Sequence, residues 1–410
     1  PLLGIGPGLE AEPLLFRAAH AAGVPGPGVV GVLEDGDGLG AGFLMDWIEG
    51  EALGGRIARG EAFADVRGKL AWQCGAALAR IHSIDVEAAG LGAKLRTLSP
   101  EALIRETHGA YRSLGEPQPM IDFVGRWLLD NVPDAGAMRL VHGDFRNGNL
   151  MVSPEAGLRA VLDWELAHVG DPMRDLGWLC TRSWRFGGDG AVGGFGTRDE
   201  LFAGYASVSG EAPSGDAVRF WEVFGSWWWA IGCLTMAQSW RVDPEGAGIE
   251  RAAIGRRSSE CQIDLVNMVI PGAARLPDEG VDGGDLGGLP SLAELRRALA
   301  LHDGVGPAEG DRGRFLARVA DSVRAIVERE ERLGGCVALR EAEALRGMSL
   351  GGEAADMRAA LCEGLWSGEI ATAREDVRSF MRERVLGQVL IDQPGYPGAV
   401  EAQGRAGGAG

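Results

Sequence analysis

Apolar residues recur along this chain in two rhythms. In FADVRGKLAWQCGAALARIHSID (63–85), Val66, Leu70, Cys74, Ala77, Leu78 and Ile81 fall three or four residues apart, which predicts one buried face of a helix. A second amphipathic run from Met120 to Leu129 and a thickly apolar one from Arg219 to Arg241, carrying Phe220, Trp221, Phe224, Trp227, Trp228, Ile231, Leu234 and Met236, predict further core helices. Strand-length apolar runs lie between them: Val29 to Leu33 and Gly42 to Met45 around the acidic turn EDGDG, then Leu140-Val141, Leu150-Met151-Val152 and Ala160-Val161-Leu162. The chain therefore reads as α+β up to about residue 277. Residues 277–290, PDEGVDGGDLGGLP, have the composition of a linker, and helical periodicity over 291–301, 311–333, 337–347, 353–367 and 374–391 predicts an all-α bundle of four or five helices beyond it.

Composition narrows the partners. With 58 acidic against 40 basic residues the net charge is −18, a field that repels phosphate backbones and anionic lipid, so neither nucleic acid nor membrane is an expected partner. The most apolar stretch, Trp227 to Ala237, is too short to span a bilayer. Six scattered cysteines without C-x-x-C pairing or His ligand spacing read as core thiols of a reducing cytoplasm. Oligomeric state is not legible.

The chemistry is concentrated in LVHGDFRNGNLMVSPEAGLRAVLDWELAHVGDPMRD (140–175). His142, Asp144, Asn149, Asp163 and Glu165 stand beside three of the predicted strands. Polar residues at strand ends are often only turn formers. The spacing H-x-D-x-x-x-x-N, strand, turn, Asp also supplies what phosphoryl transfer requires: a carboxylate near the acceptor hydroxyl and oxygen ligands holding Mg²⁺ against nucleotide phosphates. Asp144 is then the catalytic carboxylate, and Asn149 and Asp163 are the metal and cofactor ligands.

His142-Gly143-Asp144, Asn149 and Asp163-Trp164-Glu165 resemble the catalytic loop and metal motif of the aminoglycoside phosphotransferase and choline kinase superfamily. The surrounding DFRNGNLMV, LDWELAHVGDPMRDLGWLC, FWEVFGSWWWAIGC and AAIGRRSSECQIDLV resemble the branch that includes the kinase domain fused to some acyl-CoA dehydrogenases, over roughly residues 10 to 272. The C-terminal helices resemble a small domain of unknown function appended to that branch.

The resemblance implies a protein-kinase-like two-lobed fold with a truncated N-lobe, followed by an all-α domain. The expected organisation is an N-lobe remnant and hinge over 1–48, a kinase-like C-lobe over 49–277, a linker over 278–290, a helical bundle over 291–393 and a disordered tail over 394–410. ATP and Mg²⁺ are the implied cofactors. Asp46, Trp47 and Ile48 are placed at the adenine-binding hinge, Glu165 at the second ion or its water shell, and Arg146 near the transferred phosphoryl group. His142 and Asp175 support the loop from behind.

In the glycine-rich loop 183–196, Trp184 and Arg185 are candidate substrate contacts, while His82 reads as a core histidine. Glu12 falls where the family places the partner of a phosphate-binding Lys, yet lysine occurs only at Lys69 and Lys94. The chain is thus expected to bind nucleotide weakly, with roughly 50 to 80 further residues upstream in the gene.

Three functions are compatible with these residues. The first is an ATP-dependent kinase of a small-molecule hydroxyl, with a hydroxyacyl thioester ranked before aminoglycosides, choline or other alcohols. The second is a catalytically silent kinase-like module. The third, a protein kinase, is disfavoured by Gly143 and by Trp-Glu after Asp163.

Overall fold

The computed structural model describes residues 6–134, 136–282, 286–305 and 310–407. In chain order the elements are α1 (Glu12–Ala21), β1 (Val29–Val32), β2 (Phe43–Met45), α2 (Gly54–Arg59), α3 (Ala64–His82), α4 (Pro100–Arg112), α5 (Pro119–Asp130), β3 (Arg139–Val141), β4 (Leu150–Ser153), β5 (Gly157–Val161) and β6 (His168–Gly170). There follow α6 (Met173–Cys180), α7 (Arg198–Ser209), α8 (Gly215–Val242), α9 (Pro244–Arg256), α10 (Ser258–Val269), α11 (Leu292–Val305), α12 (Gly310–Gly347), α13 (Ala354–Ser367), α14 (Glu375–Asp392) and α15 (Pro397–Gly407). Two compact units divide the chain: residues 1–105 with 131–225, and 106–130 with 226–410.

The first unit is built on α3. Val66, Leu70, Cys74, Ala77, Leu78 and Ile81 are each no more than 2% exposed, as the periodicity predicts. Small residues on a second face let α7 approach closely: a Cβ on Gly75 would stand 2.0 Å from the Leu201 carbonyl oxygen, and one on Gly204 2.0 Å from that of Trp72. Three short antiparallel pairs carry the rest: β1 with β2, β3 with β6 (Leu140 opposite Val169) and β4 with β5 (Leu150 opposite Val161). The chain from 142 to 149 links β3 to β4, and 162 to 167 links β5 to β6, so the polar residues singled out above fall in two neighbouring turns.

Segment 183–196, read from the sequence as a glycine-rich loop, is closely packed. The amide of Gly193 donates to Leu179 O at 3.0 Å, and Gly194, at φ 80°, comes so near Arg185 that a Cβ would meet its carbonyl oxygen at 2.1 Å.

Among its described residues the second unit has helices joined by loops and no strand. Two expectations are corrected here. The runs 311–333 and 337–347 are one helix, α12; Gly334-Gly335 does not break it, because Ile326 and Glu330 before the pair and Cys336, Val337 and Glu341 after it are buried on a common side. Interior glycine costs about 1 kcal/mol, less than such burial returns. Residues 394–410, expected to be disordered, include helix α15: Tyr396 donates its hydroxyl to Asp264 at 2.5 Å, and Ala399 and Ala402 are buried.

The 278–290 stretch lies along α12 where it is described, with the Gly280 amide donating to Arg332 O at 3.0 Å and Leu286 and Leu289 buried. Within this unit Arg256 is buried and donates to Asp392 at 2.7 Å, to Glu330 and to Pro290 O, joining residues on both sides of that stretch. No helix among the described residues is long and apolar enough to cross a membrane.

Candidate active site

The turn between β3 and β4 is held from behind by one carboxylate. Asp175, buried in the first turns of α6, accepts the backbone amides of His142 (2.8 Å) and Gly143 (2.9 Å). His82, at the end of α3, reaches the same carboxylate through Nε2 at 3.1 Å, and its Nδ1 meets the Tyr205 hydroxyl at 3.1 Å. Burial pushes Asp175 up, but hydrogen bonding and charge from His82, with help from His142 and Arg174, hold it down at about 2. It is therefore ionised, and His82 donates to it. Gly143 adopts φ 82°, and a Cβ there would meet Leu166 O at 2.3 Å, so no side chain fits where a protein kinase has Arg. Arg174 Nη1 donates to the Gly143 carbonyl at 2.9 Å.

His142 is fully buried. Its Nδ1 accepts the Asp144 amide at 3.2 Å, so Nε2 carries the proton and donates to Leu162 O at 3.1 Å. Burial pushes its pKa down, consistent with that neutral tautomer. The ring thus ties the turn after β3 to the end of β5.

Asp144 is 7% exposed, and three side chains surround its carboxylate. Trp178 Nε1 donates to Oδ1 at 2.7 Å, Asn149 Nδ2 to Oδ2 at 2.6 Å, and Arg146 Nε approaches both oxygens at 3.1 and 3.3 Å. Burial raises the pKa of Asp144, and Arg146, Trp178, His142 and Asn149 oppose the rise. Arg146 lies over the face of Trp184, 4.4 Å from the ring centroid.

On the neighbouring turn, Trp164 is buried, 4.6 Å from the His142 ring and 6.3 Å from Phe16, and so anchors the exposed residues Asp163 and Glu165 on either side of it. Asp163 stands at φ 68°, a conformation that disfavours most side chains. Neither carboxylate has a hydrogen bond or ion pair to the described residues. Glu12 at the start of α1 is pushed up by partial burial and by the charges of Asp163 and Glu165.

These observations test whether Mg²⁺ and nucleotide fit. Asn149 uses Nδ2 on Asp144 and its Oδ1 has no hydrogen-bond partner among the described residues, while Leu162, next to Asp163, donates its amide to Asn149 O at 2.9 Å. An amide oxygen uncommitted among the described residues and the unpaired carboxylates of Asp163 and Glu165 on the adjoining turn suit a hard divalent cation. No group of three or more His, Cys, Asp or Glu among the described residues is arranged to hold a metal alone.

At the expected hinge, Asp46 and Gly28 exchange hydrogen bonds, Asp46 N donating to Gly28 O and Gly28 N to the side-chain Asp46 Oδ2, both at 3.0 Å. Trp47 is 89% exposed and Ile48 half-buried. Trp184 is buried rather than open, and Arg185 Nη2 is engaged by Cys180 O at 3.2 Å and by Glu222 at 3.5 Å. Lys94 pairs with Glu10 at 3.3 Å, and Lys69 is exposed on α3.

Two contributors escaped the sequence reading. Trp178 lies three residues beyond Asp175, a spacing that puts both on one face of α6, but an indole in an apolar helix carries no visible signal of a polar partner. Asn147 is fully buried and donates Nδ2 to Gly54 O (3.2 Å) and Gly193 O (2.7 Å), which ties the catalytic turn to α2 and to the glycine-rich segment.

Few strands and many helices, with Asp144, Asn149 and Asp163 on neighbouring turns, are the architecture of a kinase-like phosphotransferase fold. Residues 8–210 match the phosphotransferase enzyme family (APH), and residues 307–396 match a domain of unknown function, DUF6285. Acyl-CoA dehydrogenase family member 10 of Mus musculus is 32% identical over 182 residues, 42% of this chain and 16% of that protein. Family member 11 of Homo sapiens is 28% identical over 176 residues, 41% of this chain and 22% of that protein. The chain thus spans less than a quarter of the length of either.

A solved chain, a putative aminoglycoside phosphotransferase from Ralstonia eutropha JMP134, aligns at 25% identity and TM-score 0.52 over 61% of this chain and 79% of its own. The chain carries a phosphotransferase-family domain related to the kinase-like region of these dehydrogenase family members, with a C-terminal DUF6285 domain.

Proposed function

We propose that the chain is an ATP- and Mg²⁺-dependent phosphotransferase acting on a hydroxyl of a small molecule. The observation that carries this reading is the triple donor set on Asp144, which keeps a buried carboxylate available as an acceptor for a hydroxyl proton beside the uncommitted oxygens of Asn149 and Asp163. Asp144 orients the acceptor hydroxyl and takes its proton. Asn149 Oδ1 and Asp163 would hold Mg²⁺, with Glu165 reaching a second ion or its waters. The metal would supply charge neutralisation on the transferred phosphoryl group. Arg146, fixed by Trp184, adds a cation beside it. Asp46, Trp47 and Ile48 form the adenine side of the site, with Trp47 the side chain most open to contact.

Among acceptors, a hydroxyacyl thioester ranks first, because the sequence relatives carry acyl-CoA dehydrogenase names. Purified chain assayed for ATP-dependent phosphorylation of a panel of hydroxyacyl thioesters, aminoglycosides, choline and simple alcohols tests this. Transfer to a thioester supports the ranking, and transfer to aminoglycosides alone rejects it.

Asp163→Ala should abolish Mg²⁺-dependent ATP binding in calorimetry. Equal binding by the variant, or by wild type in EDTA, would refute the metal assignment. The silent-module reading draws on a separate observation: of the two lysines, Lys94 is paired with Glu10 and Lys69 is exposed on α3. Tight MgATP binding with no transfer to any acceptor would favour it.

A further inference from the structure

We propose that Trp178 is a positioning residue for the phosphotransfer reaction, fixing the rotation of the Asp144 carboxylate through its indole N–H. The inference rests on the reading of Asp144 as the acceptor-facing carboxylate. An ionised carboxylate offers about four lone-pair directions, and its rotation about the Cβ–Cγ bond is soft unless donors fix it. Here donors sit on opposite oxygens: Trp178 Nε1 on Oδ1 at 2.7 Å and Asn149 Nδ2 on Oδ2 at 2.6 Å. Between them they fix the rotation of the carboxylate plane.

Arg146 alone cannot do this. Its Nε is nearly equidistant from the two oxygens, at 3.1 and 3.3 Å, and so restrains position more than rotation.

The indole is itself held. Trp178 is 5% exposed on α6, and Trp184 meets it edge to face with centroids 5.0 Å apart at 67°. The Trp184 face carries the Arg146 guanidinium at 4.4 Å, and Arg146 returns to Asp144, so the four side chains close a ring. One helix thereby governs the whole turn: Asp175 holds the backbone of His142 and Gly143, and Trp178, on the same face one turn later, holds the side chain of Asp144. An apolar residue of similar shape at 178 would keep the packing and lose the orientation. The loss should fall on the chemical step, because an equal share of substrate binds while fewer bound complexes have the hydroxyl aligned.

The test uses the full chain and the acceptor found by the panel above. Trp178→Phe should lower kcat by about 10- to 100-fold, the effect of one lost hydrogen bond to a charged group, with KM for ATP and for acceptor within about twofold. Replacement of Trp178 by 3-benzothienylalanine, which keeps the bicyclic ring and lacks only the N–H, should reproduce that loss without lowering the melting temperature. Unchanged kcat in either variant overturns the proposal, as does a loss confined to KM or to thermal stability.

A second readout does not depend on activity. In ¹⁵N-indole NMR spectra the Trp178 resonance, assigned by its absence in Trp178→Phe, should move upfield in Asp144→Ala. An unmoved resonance overturns the hydrogen bond itself. A resonance that moves in Asp144→Ala, with a wild-type chain that phosphorylates nothing, would refute the functional reading and leave the Trp178–Asp144 linkage standing.

Discussion

Asp175 shows how one side chain organises the site at the scale of residues. Its carboxylate accepts two backbone amides and one imidazole in a place without solvent, and its depressed pKa records that the ionised form is the one being held. Because its folded pKa, about 2, lies below the ordinary 3.8, the stability it contributes is present above about pH 4 and is lost as pH falls towards 2. Asp175→Asn turns one amide–carboxylate contact into a clash of donors and should cost about 2–4 kcal/mol at neutral pH. The gap between variant and wild type in urea unfolding should shrink as pH falls from 4 to 2. A gap independent of pH would mean that Asp175 is not held ionised.

The polar residues of this turn were legible in the sequence because spacing alone brings Asp144, Asn149 and Asp163 onto adjoining strand ends. Trp178 and Asn147 were not, since their partners are set by tertiary approach. The loop residue Arg185, expected as a substrate contact, is drawn to Cys180 O and Glu222, partners that no local pattern reveals.

At the scale of elements, the helices and strands followed the apolar rhythm, while their ends and contacts did not. The face of α3 was readable from its spacing, but the contact of α7 with its other face depends on Gly75 and Gly204, where backbone meets backbone. Glycine in a helix reads as a weakness until the neighbour it admits is known. Gly75→Ala should push α7 away from α3 at Leu201 and Tyr205 and destabilise the chain by about 1–3 kcal/mol, against the roughly 1 kcal/mol that Ala ordinarily returns over Gly inside a helix. Higher stability of that variant in thermal unfolding would contradict this packing. Conversely, Gly334-Gly335 suggested a break in α12 that burial on both sides overrides.

At the scale of the whole molecule, the composition of 277–290 marked a linker, yet the compact units divide at 105, 130 and 225 instead. The reason lies in pairings that join residues far apart in sequence. Arg256 precedes the linker-like stretch, its carboxylate partners Glu330 and Asp392 follow it, and all three are buried. Which arginine of many meets which acid is invisible to composition. Arg256→Met should cost about 3–5 kcal/mol by leaving two buried carboxylates without their cation. Stability within 1 kcal/mol of wild type would show that the network is dispensable.

The central claim is that this chain transfers a phosphoryl group to a small hydroxyl with Asp144 as the acceptor-facing carboxylate. The most direct measurement compares wild type with Asp144→Asn, following MgATP binding by calorimetry and phosphoryl transfer to the panel's best acceptor by ³¹P NMR. The account predicts MgATP affinity within about threefold and turnover lowered by about 10²-fold or more. Equal turnover by the two proteins would contradict it.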